Sequence, residues 1–334
     1  QRTVPDVVAL ILEHVKNLAT SFLGSPVERA VFTVPVEFGP RARRELELAA
    51  KKAGIEVAAM IAEPVAAAIG CGIDGVGEAT VAVYDFGGGT FDASVVKVGG
   101  RQLRVLGAAG DRWLGGDDLD EALARAVANE FFRSSGVDLH GKAEPWQRLL
   151  FSCEDAKRWL STLDEVDVIM PRAATTSKGA LTLLVPVTRE AFNEACFQVV
   201  ASSVEVCRQA LAEAGLEPGG VDAALVTGGT TRVPAVQAAV RGLFGSEPIE
   251  GIHPEHSVVI GAAVPAAARV SSALAPARSG SGVTTSDGTP SAGSSAGARS
   301  GRAPRVPRSA RARTVRTTPT TARTRRARMR TFDA

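Results

Sequence analysis

The sequence predicts an α/β fold with a parallel layer and an antiparallel layer. Three patterns predict it. Residues 30–69 alternate short apolar runs with amphipathic helical stretches, residues 80–109 hold three consecutive β segments, and residues 221–244 run from a buried strand through a Gly-Gly turn into a helix. Strand, helix, strand, helix in that order indicates a parallel sheet with crossover helices.

Apolar residues recur at helical spacing from Val7 to Phe22, ahead of Gly24-Ser-Pro26. Ala30 to Val34 reads as a short strand closed by Pro35. Pro40 to Ala53 reads as an amphipathic helix, because Pro40 suits a first turn and Gly54 suits a C-terminal cap. Val57 to Ala62 is a second strand, and Pro64 opens a helix of small residues from Val65 to Ile69.

The β segments near 80–86, 91–98 and 102–109 form an antiparallel meander. Helices are predicted over Asp117–Phe132 and Pro145–Ser161. Strands follow near 165–170 and 181–186, then a long helix from Arg189 to Ala214. Val221–Thr227 is a buried strand. Val233–Phe244 and Ser257–Ala268 are the closing helices. From Ser271 the pattern stops and Ser, Gly, Thr, Pro, Ala and Arg dominate, a composition that buries too little apolar surface to offset its ordering entropy. Residues 271–334 are therefore expected to be disordered.

The chain has 334 residues, 45% of them hydrophobic, enough for two compact lobes. Its net charge of +2 hides an asymmetry. Residues 271–334 carry 13 Arg, no Lys and two Asp, a net of +11, which leaves −9 on residues 1–270. Such a tail could bind polyanions non-specifically and with steep salt dependence, though it lacks the interleaved aromatics that read bases. No apolar run reaches membrane-spanning length and no signal peptide pattern opens the chain. Cys71, Cys153, Cys196 and Cys207 are far apart with no C-x-x-C, as expected of reduced, mostly buried thiols in a cytoplasmic protein. His253 and His256 have no accompanying ligand set for zinc.

The residues that carry chemistry centre on Asp85–Asp92, DFGGGTFD, between two strands. Gly87, Gly88 and Gly89 exceed what a tight hairpin needs, and bare backbone N–H groups can cradle phosphate oxygens. Asp85 and Asp92 bracket that loop, where carboxylates imply a divalent cation, and Thr90 adds a hydroxyl. A second Gly-Gly turn lies in LVTGGTTR (Leu225–Arg232) and a third in LGGDD (Leu114–Asp118), each at a helix start that attracts anions. Together they point to one nucleotide gripped from several sides. The P-loop pattern is absent. Gly70-Cys-Gly-Ile-Asp-Gly75 spells G-x-G-x-x-G but follows a helix instead of a strand, so a dinucleotide site is not expected there.

These stretches carry a resemblance. VFTVPVEF (Val31–Phe38), IAEPVAAAIG (Ile61–Gly70), DFGGGTFD, LGGDDLD (Leu114–Asp120), CEDAKRWLS (Cys153–Ser161), LVTGGTTRVP (Leu225–Pro234) and HPEHSVVIGAAV (His253–Val264) run in the order seen in the ATPase domain of the heat shock protein 70 (DnaK-type chaperone) family. The resemblance implies an actin-like ATPase fold with ribonuclease H-like lobes: a partial first lobe over residues 1–79, a complete second lobe over 80–270 with an insert subdomain at about 119–200, and the tail over 271–334. It implies an ATP-dependent folding chaperone with cofactors ATP/ADP, Mg2+ and a monovalent cation such as K+. Its partners would be unfolded client peptides, a J-domain co-chaperone and a nucleotide exchange factor.

The resemblance also assigns roles. Asp85 would hold magnesium through water, Asp92 a monovalent cation, and Glu63 the attacking water. Gly87, Gly88, Gly89 and Thr90 would wrap the terminal phosphates, with Gly115 and Gly116 lining the cleft from the other side. Glu154, Lys157, Arg158 and Ser161 would hold the adenosine; their spacing independently puts them on one helix face. Gly228, Gly229, Thr230, Arg232 and Glu255 would pack around the adenine and its phosphate side. Pro35 and Arg43 match a pair that relays nucleotide state to the client domain.

Several departures accompany the match. The family's G-x-D-x-G-T-T phosphate hairpin, and the Lys it places near the γ-phosphate, are not found, so the chain reads as an N-terminally truncated ATPase domain. Turnover by these residues alone is expected to be slower by orders of magnitude, because phosphoryl transfer needs charge neutralised from several sides. Without the strands that pair beside it in the family, the strand Ala30–Val34 is expected to be an apolar edge prone to aggregation. Glu37 replaces an aromatic, Thr230 a Ser or Gln, and His253-Pro-Glu255 an Asn-Pro-Asp. No leucine-rich linker or client domain follows Val264, and the Lys-free tail has the composition expected of a frame shift or gene fragment.

Overall fold

The computed structural model describes residues 2–73, 77–99, 102–177, 179–250 and 253–264. Thr3 donates both its amide and its hydroxyl to the Asp6 carboxylate, which opens helix α1 (Val4–Leu23); left-handed Gly24, at φ 67°, ends it. Strand β1 (Arg29–Val34) stops at Pro35, as the sequence predicts. Helix α2 (Pro40–Lys52), strand β2 (Glu56–Ala62) and helix α3 (Glu63–Gly70) complete the alternation. β1 and β2 pair in parallel. Their own core is small: Ala50, Ala53 and Ile55 are buried, with Leu12, Phe32 and Val57 partly buried against them. Helix α1 packs on α2 yet leaves Val7, Leu10, Ile11, Val15, Leu18 and Phe22 exposed.

The meander is present as β3 (Glu78–Phe86), β4 (Phe91–Gly99) and β5 (Gln102–Asp111). Helices α4 (Gly116–Ser135) and α5 (Ala143–Leu160) follow, then the antiparallel pair β6 (Glu165–Thr176) and β7 (Gly179–Thr188), then α6 (Arg189–Glu213). β6 and β7 run longer than expected. Pro171 follows the expected end of the first strand, but there the ladder shifts register between Met170 and Ala174, with Arg172 at φ 52°, and pairing resumes. A bulge is where a strand tolerates a proline.

Strand β8 (Ala223–Thr227) joins β3 in parallel, and a 3-10 turn (Gly229–Arg232) leads into α7 (Pro234–Phe244). β9 (Ile249–Glu250) adds a short edge, giving the order β5-β4-β3-β8-β9. One face of this sheet buries Tyr84, Phe86 and Phe91, edge to face at 4.6–6.2 Å, against α4, α6 and α7. Tyr84 also shares a buried hydrogen bond with Ser203 of α6. The other face buries Val81, Val83, Val96, Val98 and Leu225 against Ala67 and Ile73.

The helical residues 257–264 cross α3 with no side chain between the backbones. A Cβ at Gly261 would sit 1.7 Å from the Ala66 carbonyl oxygen, and one at Gly70 would sit 1.9 Å from that of Ser257. All described residues belong to one contact unit. Among them, no helix is long and apolar enough to cross a membrane. The basic segment 271–334 lies outside the described residues, as do Asp74 and Gly75 of the G-x-G-x-x-G run. The part of that run that is described begins at the last residue of α3.

Candidate functional site

β3 and β4 bring Asp85 and Asp92 to directly opposed positions in their ladder. Like charges so placed repel and call for a proton or a cation between them. Glu63, the first residue of α3, and Glu37, in the turn after β1, enter the same pocket beside Pro35. Its free volume is about 10 Å3, room for one water or a bare ion. Burial is the main cause of the raised carboxyl pKa values. Asp85 is pushed up to about 7 by desolvation, then by Glu63 and Asp92. Glu63 is raised by burial and then by Asp92. Asp92 is raised by burial and then by Glu37, while Arg112 acts to lower it. Hard carboxylate oxygens suit Mg2+. No three Asp, Glu, His or Cys side chains among the described residues converge as a direct ligand set. Asp85 and Asp92 are the carboxylates that would hold such an ion, and the pocket has no room for a hydrated one, so its remaining ligands would lie outside it.

Beside the pocket the three glycine turns meet. The Gly87 amide donates to the Thr90 carbonyl at 3.0 Å, which closes the loop between β3 and β4. The Gly87 carbonyl then accepts from two directions: the Gly116 amide at 3.0 Å and the Thr230 hydroxyl at 2.8 Å. The Asp117 amide donates to the Gly88 carbonyl at 2.8 Å. This junction explains two of the glycines by steric necessity. A Cβ at Gly115 would lie 2.2 Å from the Gly88 carbonyl oxygen, and one at Gly116 would lie 2.6 Å from the Thr230 hydroxyl. The exposed Gly88 and Gly89 differ: a Cβ on either meets nothing closer than 3.9 Å, and neither has a positive φ. The chain's own packing does not require them to be glycine, whereas close approach by a ligand would.

A second cluster forms at the β8 turn. Gly228, at φ 88°, approaches Phe86 and Asp85 closely, and its amide donates to the Pro254 carbonyl. The Thr227 hydroxyl bonds the same carbonyl and Ser257. Arg232 pairs with Glu255 at 3.3 Å and donates to His253 Nε2 at 2.9 Å. Gly229 lies against the Glu255 carboxylate.

On α5, Lys157 turns inward: its Nζ donates to the Gly116 carbonyl at 2.9 Å and to Asp120 Oδ2 at 2.6 Å, with both side chains nearly buried. Burial pushes Asp120 up to about 6 despite that lysine, and its Oδ1 has no hydrogen-bond partner. Glu154 and Arg158 pair with each other on the more exposed side of α5, and the Ser161 hydroxyl caps the helix at the Lys157 carbonyl. Arg43 donates to the Phe38 carbonyl at 2.9 Å, which fixes the turn that carries Glu37.

The structure therefore gathers Glu63, Asp85 and Asp92 in one pocket, and Gly87, Gly88, Thr90, Gly115, Gly116 and Thr230 in one junction. Gly228, Gly229, Arg232 and Glu255 form a third group. Sequence reasoning missed Arg112, whose guanidinium pairs with Glu37 at 3.2 Å. Counting ladder positions would have found it: Phe91 pairs Asp111, so Arg112 leaves the ladder beside Thr90, on the face that carries Asp92. The protein-family model described as Hsp70 protein matches residues 1–292.

Proposed function

We propose, from the premise that the chain belongs to the Hsp70 family, that it is the ATP-binding and ATP-hydrolysing part of a DnaK-type protein-folding chaperone acting in the cytoplasm. The observation that carries this reading is the meeting of three glycine turns at the Gly87 carbonyl, next to the paired carboxylates Asp85 and Asp92. Residues 1–79 would belong to the first lobe and 80–270 to the second, with the insert at about 119–200. Client peptides, a J-domain co-chaperone and an exchange factor would be the partners of the complete protein.

In this reading Gly87, Gly88, Gly89 and Thr90 wrap the terminal phosphates, and Gly115 and Gly116 close over them. Asp85 would hold Mg2+ through water and Asp92 a monovalent cation such as K+; the divalent ion neutralises phosphate charge. Glu63 orients the attacking water, and its raised pKa brings its proton affinity closer to the working pH. Glu154, Arg158 and Ser161 face the adenosine. Lys157 acts through Gly116, whose carbonyl it holds. Gly228, Gly229, Thr230, Arg232 and Glu255 flank the adenine side. Magnesium-dependent ATP binding and single-turnover hydrolysis test the reading, with Asp85→Ala as control. We expect the control to lose both; a control that binds and turns over like the unsubstituted protein refutes the assignment.

A second reading, a nucleotide-binding module without turnover, is favoured by one observation. The Gly116 and Asp117 amides, which a phosphate at the start of α4 would use, are committed to the Gly87 and Gly88 carbonyls. Binding without turnover in the same assay would select it. Polyanion binding by the tail is a separate proposal resting on its charge. A tail-deleted chain that shifts nucleic acid as well as the full chain would remove it.

A further inference from the structure

The residues lining the carboxylate pocket include Glu37, Glu63, Asp85 and Asp92 and no lysine or arginine. A nucleotide's terminal phosphate brought to the adjacent Gly87–Thr90 loop would meet that negative field. Positive charge has to arrive from the rim. Arg112 stands there. It leaves the β4–β5 ladder beside Thr90, three residues before Gly115, so its backbone lies between the two glycine turns that would grip the phosphates. Its guanidinium is close enough to Asp92 to act on that carboxylate.

The side chain's present partner is replaceable. Arg112 Nη2 donates to Glu37 Oε2 at 3.2 Å, and the two side chains are 74% and 40% exposed. An ion pair this open to solvent adds little to stability. A phosphate offers more charge than a carboxylate and accepts the planar guanidinium fork bidentately. It would outcompete Glu37.

We propose that Arg112 is a specificity-determining residue of the nucleotide site: it exchanges Glu37 for the terminal phosphate and so makes the site prefer ATP over ADP. This rests on the reading of the site as an ATP site. The exchange has a second effect. Glu37 belongs to the turn Pro35–Gly39, which Arg43 braces through the Phe38 carbonyl. Releasing Glu37 removes that turn's ion pair to the β5–α4 connection, so phosphate occupancy changes how the β1–α2 turn is held.

Titration calorimetry with Mg2+ and either ATP or ADP tests the proposal on three proteins: unsubstituted, Arg112→Ala and Glu37→Gln. Arg112→Ala should weaken ATP about 10- to 100-fold, the loss expected of one charge-assisted contact, and leave ADP within about 3-fold. Glu37→Gln should tighten ATP, because it frees the arginine in advance. If the pair were only a strut between two turns, both substitutions would break it alike. Parallel weakening of ATP by both, or equal loss of ATP and ADP in Arg112→Ala, overturns the proposal. Failure of the unsubstituted protein to bind either nucleotide overturns the ATP-site reading itself, a result distinguishable from both. Both positions are solvent-exposed, and unchanged circular dichroism confirms that the variants fold.

Discussion

The sheet β5-β4-β3-β8-β9 is covered on both faces. Aromatic and aliphatic side chains from α4, α6 and α7 close one side, and Ala67, Ile73 and their neighbours close the other. The β1–β2 layer has the same kinds of element but a core of three small or medium residues, and its outer helix α1 shows a row of apolar side chains to solvent. Asp85 and Asp92 stand on the first region; Glu37 and the helix that begins at Glu63 follow the strands of the second. The carboxylate pocket thus spans a firmly packed region and a lightly packed one. Local opening has a low cost where little apolar surface is buried. Glu37, in the exposed turn after β1, can therefore shift against the Asp85–Asp92 pair more readily than Glu63, whose helix buries Ala67 against the main sheet.

The comparison can be broken in several ways. The largest effect is expected in the main core. Phe192→Ala, at a side chain 1% exposed, should cost about 3–5 kcal/mol in chemical denaturation. A loss below ~1 kcal/mol would mean that this core is not tightly packed. Next is the crossing that joins the regions. Gly261→Ala forces a methyl into the Ala66 backbone and should cost about 3 kcal/mol, with amide protection falling in both β2 and β8. Ile55→Ala should cost about 2 kcal/mol, and hydrogen exchange should show β1 and β2 opening while β3 and β4 stay protected. Uniform loss across all strands would merge the two regions into one cooperative unit.

Titration should produce a smaller change with a defined sign. The folded-state pKa of Asp85 is raised from 3.8 to about 7, so the folded ligand-free protein binds the proton more tightly than the unfolded chain does. That contribution to stability is full below about pH 4 and is lost as pH rises through about 7. Asp120, raised to about 6, acts in the same direction. Asp85→Asn should flatten the fall, and Mg2+ should oppose it by favouring the ionised carboxylate; a denaturation series at pH 4–8 reads both. The smallest effect is expected on α1. Ile11→Lys, on its exposed face, should shift stability by no more than ~0.5 kcal/mol while lowering light scattering at high concentration. Unchanged scattering would clear that face as the source of association.

Much of the fold was legible because periodicity and punctuation agreed. Pro35 ended β1, Pro40 opened α2, and the alternation in 80–109 gave the meander with Asp85 opposite Asp92. What escaped depended on long-range partners. Pro171 marks a strand end locally, but β7 pairs past it. β9 is two residues long and exists only because β8 offers an edge. Lys157 shares a helix face with Glu154, Arg158 and Ser161, yet a nearly buried carboxylate on α4, 37 residues earlier, draws it inward. Glu37 and Arg112 look like unrelated surface charges until two separate turns bring them together. The glycine turns could be recognised singly; that they share one carbonyl oxygen could not.

The crossing of α3 with residues 257–264 has a mechanical consequence. Side chains packed between helices act as interlocking teeth and resist relative turning. At Gly70 and Gly261 those teeth are missing, and smooth backbone touches smooth backbone. A contact of that shape leaves no room for anything bulkier, so it sets how near the two backbones stand and holds the β2–α3 unit, with Glu63 at the first residue of its helix, at a fixed depth against residues 257–264.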